Sequence, residues 1–303
     1  MAKQRPTAVG NPPLWTKFAI AGFGGLSGWM FVHPFDVLKV RLQVTETGKT
    51  SGVNMMRSII KNEGFKGLYS GLSAAAARQL SYTTSRIGLY DTFTTKMQGD
   101  DGAPLSLVKK IVCGLSAGGI AATCCCPIEV ALVRMQTDGM VEASQRRGYR
   151  NVFDAIYKTA KTEGVTALWR GGIPNLTRGA VVSMTQLATY DQAKEFYRSS
   201  GFIQSTGPIL HLSASVTSGF IYCLVSLPID ITKTRMQNQK ALPDGTLKYK
   251  NMLDALVKIP SQEGVAALWK GFPPYFLRGG GHTVFMFLFV EQYRRLVNDL
   301  YSS

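Results

Sequence analysis

The sequence predicts an all-α membrane protein of six transmembrane helices, built as three tandem repeats of about 100 residues. Three observations predict it. One phrase occurs three times, a pair of glycine motifs follows each copy, and apolar, small-residue-rich stretches come two to a repeat.

The phrase reads Pro34-x-Asp36-x-x-Lys39-x-Arg41-x-Gln43 in the first copy and Pro127-x-Glu129-x-x-Leu132-x-Arg134-x-Gln136 in the second. In the third it reads Pro228-x-Asp230-x-x-Lys233-x-Arg235-x-Gln237. Glu63-Gly64, Glu163-Gly164 and Glu263-Gly264 follow, their glutamates 100 residues apart, and then Tyr69-Ser70-Gly71, Trp169-Arg170-Gly171 and Trp269-Lys270-Gly271. A solenoid repeat runs about 20–50 residues, so this period suits two membrane helices and a loop instead. The repeats divide the chain at 1–100, 101–201 and 202–303.

The apolar stretches lie near 14–43, 72–97, 105–136, 173–198, 207–237 and 272–298. Each exceeds the roughly 20 helical residues that cross about 30 Å of hydrocarbon. An even number of spans puts both termini on one side. Loops inside a repeat are long and basic, with a helix-like segment before each Glu-Gly, such as Asn151 to Glu163. Pro260 should shorten or bend the third of these. Counting back 13 and 9 positions from each proline gives Ala21/Gly25, Gly114/Gly118 and Ser215/Gly219, small pairs expected to let helices approach closely. Gly22-Phe23-Gly24-Gly25 follows no strand, so it reads as helix packing rather than a nucleotide loop.

Composition narrows the function. There are 34 Lys+Arg against 19 Asp+Glu, a net charge of +15, yet only 17% of residues are charged, and mean hydropathy is +0.03. Helices lining a watery cavity reconcile these values. Nucleic acid, an anionic membrane surface or an anionic substrate would each match the positive charge. No zinc-finger spacing, RNA-binding aromatic motif or basic run is present, so nucleic acid is not an expected partner. Cys113, Cys124, Cys125, Cys126 and Cys223 form no CxxC pair and read as packing residues, and His33, His211 and His282 lack ligand spacing. No metal or cofactor is expected. No nucleophile–base pair or phosphate loop points to an enzyme. The first 13 residues look like neither a secretory signal nor a transit peptide, so any organelle address is expected to be internal.

Charges inside the apolar stretches demand a role. Asp36, Glu129 and Asp230 each follow a proline by two residues, and Lys39 and Lys233 lie three residues beyond their acids, on the same helix face. Around an axis, each acid meets a neighbouring helix's base and a ring of ion pairs closes. The even-numbered stretches carry a second set: Asp91, Asp191 with Lys194, and Glu291 with Arg294, the acids again 100 apart. A ring at each end of a central cavity is the outline of alternating access. Between them, Arg78, Arg178 and Arg278 recur at one depth, a strong field for anions whose forks match carboxylates. Arg78, Tyr82 and Arg86 at i, i+4 and i+8 share one helix face. Two arginines on one helix facing others across a cavity suit a molecule with two separated negative charges.

With its Glu-Gly and aromatic-base-Gly motifs, the thrice-repeated phrase resembles the mitochondrial carrier family over nearly the whole chain. The resemblance implies a threefold pseudosymmetric barrel of six tilted helices with three short matrix helices, in the mitochondrial inner membrane. It implies a matrix gate at Asp36, Lys39, Glu129, Asp230 and Lys233, braced by Gln43, Gln136 and Gln237, and a cytoplasmic gate at Asp91, Asp191, Lys194, Glu291 and Arg294. It also implies cardiolipin binding near the glycine motifs, and a single chain suffices in principle. The pattern is broken by Leu132, Thr94, Ser70 and Val290. Leu132 should leave Asp36 without its base, with the three glutamines partly compensating.

Within the family, Arg78-Gln79-Leu80-Ser81-Tyr82-Thr83-Thr84-Ser85-Arg86, the leucine at 132 and Gln145-Arg146-Arg147-Gly148-Tyr149 resemble the branch that exchanges 2-oxoglutarate for malate. That likeness implies dicarboxylate antiport with Arg78, Tyr82, Arg86, Arg178 and Arg278 on the substrate. Arg86-Ile87-Gly88-Leu89-Tyr90-Asp91 is shared with uncoupling-type carriers. An uncoupling-type proton or anion carrier, or a dicarboxylate–phosphate exchanger, is therefore the competing expectation.

Overall fold

The computed structural model describes residues 14–46, 51–98, 106–200, 208–240 and 246–302. The N-terminal 13 residues lie outside them, as does the side chain of Ala21. The described residues form nine α-helices in chain order: α1 (Leu14–Val44), α2 (Gly52–Glu63), α3 (Leu72–Gln98), α4 (Leu107–Thr137), α5 (Val152–Glu163), α6 (Gly172–Ser199), α7 (Pro208–Asn238), α8 (Met252–Glu263) and α9 (Phe272–Ser302). The long helices match the expected apolar stretches to within a few residues. Only segments of α4 and α7 would be picked out by hydropathy among the described residues. α3 fails that test because it carries many polar side chains, as in its run from Ser81 to Arg86. Large apolar side chains are exposed on all six, for example Phe31, Ile87, Leu115, Met184, Val216 and Leu288. In water this would be a liability, whereas in lipid it is what a span needs.

The long helices close into a ring. The most extensive packing joins α3 to α4, α6 to α7, and α9 back to α1, so the first repeat seals against the last. Inside this ring α1, α4 and α7 also touch one another. They meet at their C-terminal ends, where buried charged residues concentrate. Each contains its proline (Pro34, Pro127 or Pro228) and continues as helix beyond it.

The small residues at the close contacts are not those expected. A Cβ on Gly24 would come 2.4 Å from Val290, and one on Gly28 would come 2.9 Å from the Met286 backbone, so α1 and α9 touch there. Gly25 and Gly118 meet nothing within 4 Å. In α4 and α7 the buried small residues include Ala117, Ala121, Ala214 and Ser218. The packing row is displaced by one residue from the expected one, a rotation of about 100° around the helix.

Each repeat's loop is built alike. In α5 and α8 the first turn is capped by Asn151 and Asn251, whose side chains accept from the Asp154 and Asp254 amides at 2.9 and 2.8 Å. Pro260 does not shorten α8, which has 12 residues like α2 and α5. It falls near the C-terminal end, where a missing N–H forfeits one i→i−4 bond and the ladder ends soon after. A 3₁₀ turn follows (Phe65–Tyr69, Val165–Trp169 or Val265–Trp269), and then a positive-φ glycine opens the next long helix. At Gly171, φ is 78° and a Cβ would lie 2.8 Å from the Gln237 side chain, so only glycine fits.

One strut per repeat was not foreseen. Arg41, Arg134 and Arg235 each grip the Glu of their own Glu-Gly motif through both guanidinium nitrogens. Each also donates from Nε to a backbone carbonyl of another repeat: Gln136 at 2.8 Å, Gln237 at 3.2 Å and Gln43 at 2.8 Å. These arginines tie loop helix to span and repeat to repeat.

Candidate functional site

Beneath a cleft on the ring axis, α1, α4 and α7 bring together Asp36, Lys39, Glu129, Asp230 and Lys233, none more than 9% exposed. Lys39 of α1 pairs with Asp230 of α7 at 2.5 Å, and Lys233 of α7 pairs with Glu129 of α4. By the same rotation, position 132 of α4 faces Asp36, and it is a leucine. Asp36 instead accepts from the Gln136 amide at 2.9 Å and has Arg278 Nε at 3.5 Å. Buried charges are tolerated only with such partners, and removing one partner is far more damaging than never having had the pair.

The glutamines divide. Gln43 donates to Asp230 at 2.7 Å while accepting from Thr234, and Gln136 donates to Asp36. Gln237 is buried, but neither its Nε2 nor its Oε1 has a hydrogen-bond partner among the described residues. Glu129, the acid Gln237 would serve by the same rotation, is held by Lys233 alone within the ring. Gln43→Ala and Gln136→Ala should therefore weaken this ring by about 1.5–3 kcal/mol each, the usual range for a hydrogen bond to a charged group. Gln237→Ala should leave it unchanged. Thermal melting of the three variants checks this, and equal destabilisation by all three would refute it.

Above the ring stand the three arginines. Arg78, on α3, lies 3.9 Å from Glu129, Arg178, on α6, 3.5 Å from Asp230, and Arg278, on α9, 3.5 Å from Asp36. Each therefore faces one acid of the ring. Each has an Nε that is buried and finds no hydrogen-bond acceptor among the described residues. Aromatic rings flank them: Trp29 lies 5.5 Å from Arg78 and 5.9 Å from Arg278, and Tyr275 lies 5.4 Å from Arg278 and 4.3 Å from the Lys39 ammonium. His282 packs edge-on against Trp29. Sequence reasoning missed Trp29 and Tyr275. The repeat puts Ala122 and Cys223 in place of the first, and Ala75 and Asn175 in place of the second, so no recurrence flags them.

Tyr82 is half-buried and Arg86 exposed, one and two further steps of α3 from Arg78. Each step of four residues turns the helix by about 40° and rises about 6 Å, so Arg86 lies on Arg78's side of the helix, about 12 Å from it along the axis. No hydrogen bond or ion pair joins Arg86 to any described residue. At the far end from the ring, Asp91, Asp191, Glu291 and Arg294 are exposed and Lys194 half-buried. They form no ion pair with one another; among the described residues Glu291 pairs with Arg295 on its own helix at 3.2 Å. The structure thus has a closed charged ring at one end and separated charges at the other.

Six long helices ringed around a basic cleft, closed at one end by buried ion pairs, define a membrane carrier. The model of the family described as "Mitochondrial carrier protein" matches residues 10–101, 103–201 and 204–300, and the chain belongs to that family. It is accordingly a multi-pass transport protein of the mitochondrial inner membrane and not an enzyme. The chain is 44% identical to the mitochondrial 2-oxoglutarate/malate carrier protein of Mus musculus, over 96% of this chain and 94% of the relative. It is 43% identical to the protein of the same name from Caenorhabditis elegans, over 93% of each. It is also 37% identical to mitochondrial uncoupling protein 4 of Arabidopsis thaliana, over 93% of this chain and 98% of the relative.

Proposed function

We propose that this protein exchanges dicarboxylates across the inner membrane, 2-oxoglutarate for malate, by alternating access. The observation that carries the reading is the arginine level: three guanidiniums over the closed ring, each with an unused donor, and Arg86 about 12 Å away on Arg78's helix. One carboxylate fits the three arginines and Tyr82; the other reaches Arg86. The names of the 42–44% identical mammalian relatives support that substrate pair.

Asp36, Lys39, Glu129, Asp230 and Lys233, with Gln43 and Gln136, act as the matrix gate, closed in this conformation. Gln237 belongs to its packing. Asp91, Asp191, Lys194, Glu291 and Arg294 act as the cytoplasmic gate, open here. Substrate therefore enters from the cytoplasmic side. Its carboxylates compete with Glu129, Asp230 and Asp36 for the arginines. Each guanidinium drawn upward leaves a ring acid with less countercharge, which weakens the matrix gate. The empty carrier keeps its arginines on the ring and stays shut, so exchange is obligatory. Cardiolipin is the expected lipid, its phosphates at the glycine-led starts of α3, α6 and α9, where free amides favour anions. One chain contains every group this cycle needs.

Liposomes loaded with malate and given labelled 2-oxoglutarate test the reading. Saturable counter-exchange that vanishes without internal dicarboxylate is expected. Fatty-acid-dependent proton flux without exchange would assign the uncoupling-type activity instead, and exchange only against phosphate would assign the dicarboxylate–phosphate type.

A further inference from the structure

Beyond the closed ring, on the side away from the arginine cleft, lies a second cavity of about 490 Å³. Its walls come from all three repeats, at and just beyond the ends of α1, α4 and α7: Val44 and Glu46 from the first, Thr137, Asp138, Met140 and Val141 from the second, and Asn238 to Lys240 with Lys248 and Tyr249 from the third. This volume is that of a small-molecule site.

Its charge is unbalanced in one place. In the second repeat, three guanidiniums share a single carboxylate. Arg134 and Arg170 both bond Glu163, and Arg147 reaches it only at 3.6 Å. The matching glutamate of the first repeat takes Arg41, and that of the third takes Arg235 and Lys270. Arg147 lines the cavity, and its Nη2 is buried with no hydrogen-bond partner among the described residues. Lys240 lines the same space from the third repeat and pairs with no described residue. Partial loss of hydration, slighter for Lys240, and the charge of Arg134 on Arg147 and of Arg147 on Lys240 pull both of their pKa values down. A bound anion would relieve that crowding. Two acids also lie on the walls: Glu46 holds Lys248, itself a wall residue, at 2.6 Å, and Asp138 accepts from the Arg147 and Gly148 amides at 2.8 and 2.9 Å, so neither forms an ion pair with the Arg147 guanidinium or with Lys240. Val44, Met140 and Val141 supply an apolar surface beside the two cations.

We propose that this cavity is a second anion site, distinct from the transport cleft, which takes an organic anion bearing at least two phosphate or carboxylate groups between Arg147 and Lys240. The site also brakes transport. Its walls are the ends of α1, α4 and α7, already bridged by Thr137 donating to Asn238 at 2.6 Å. Opening the ring must separate those ends and dismantle the cavity. A ligand that binds only the closed form shifts the equilibrium toward it by its differential affinity. The brake rests on the alternating-access reading, whereas the binding does not.

Thermal melting of the purified full chain tests binding, with magnesium-free ATP, citrate and inorganic phosphate as probes. ATP or citrate should raise Tm, and inorganic phosphate should do so far more weakly. Lys240→Gln and Arg147→Gln should each weaken the apparent affinity about tenfold, as loss of one charged contact does. Arg86→Ala, in the transport cleft, should keep the response. Lys240 is exposed, so its variant is expected to fold whatever Arg147→Gln does. The site is refuted if no probe shifts Tm, or if the shift survives Lys240→Gln and is lost in Arg86→Ala, which would place the anion in the transport cleft. Inorganic phosphate binding as tightly as ATP would refute the organic ligand. In liposomes, the anion on the matrix-facing side should slow malate/2-oxoglutarate exchange by the wild type and not by Lys240→Gln. Binding without slowing would overturn the brake and leave the site.

Discussion

Arg86→Ala should lower the initial rate of dicarboxylate exchange by about 30-fold to a few thousand-fold, because truncating one partner of a desolvated charge pair removes about 2–5 kcal/mol and each 1.4 kcal/mol is a factor of ten. Its melting temperature should stay within about 2 °C of wild type, since an exposed side chain with no structural partner rarely contributes more than about 0.5 kcal/mol. That combination separates Arg86 from the other arginines. Arg178→Ala would also abolish exchange, but it removes a neighbour of Asp230 at 3.5 Å and should destabilise the ring as well. Arg86→Lys keeps the charge and loses the planar fork, so an intermediate rate is expected. Counter-exchange rates and melting curves on the same preparations decide the matter. Exchange within about threefold of wild type would remove Arg86 from the substrate's path and leave the arginine level alone to hold both carboxylates.

Much of this was legible because the repeat multiplies each signal by three. A buried acid after a proline is weak once and strong thrice, so the ring was foreseen down to Asp36's missing lysine. The same multiplication misled where the copies share a pattern that faces elsewhere. The small-residue row at Gly25 and Gly118 recurs, but the helices touch along the row one residue away, at Gly24, Gly28, Ala117 and Ala121. Hydropathy does not tell those rows apart, because small residues suit both a tight contact and an open cleft. Trp29 and Tyr275 were hidden for the opposite reason: they occur once each, and only the folded ring brings them to the arginines. The Arg–Glu struts recur as faithfully as the acids of the ring. They passed unnoticed because each pairing spans 22 to 29 residues and a turn of chain, beyond any helical spacing rule.

The asymmetry at position 132 leads to the second large effect. Lys39 and Lys233 each cross to an acid of another repeat, and only Asp36 lacks such a base. Leu132→Lys should complete the ring. Leu132 is buried and lines the cleft beside Asp36, Arg78 and Gln136, so the introduced ammonium arrives beside its carboxylate already desolvated. The gain is tempered because Gln136 and Arg278 already serve Asp36, and because Leu132 packs in a cluster with Trp29 and Met135. A net strengthening of about 1–2 kcal/mol is expected, well below the 3–5 kcal/mol of breaking an existing buried pair. If opening this gate limits turnover, exchange should slow by roughly 5- to 30-fold, while Tm rises by a few degrees. Leu132→Met, which keeps the volume without the charge, should leave the rate near wild type and so isolates the electrostatic part. A Leu132→Lys protein that melts lower and exchanges at the wild-type rate would show that Asp36 is fully served by Gln136 and Arg278. The missing base would then be no weakness in the gate. Slower exchange with a higher Tm would instead mean that the leucine sets the gate's strength, keeping one of three pairs light enough for a single dicarboxylate to open.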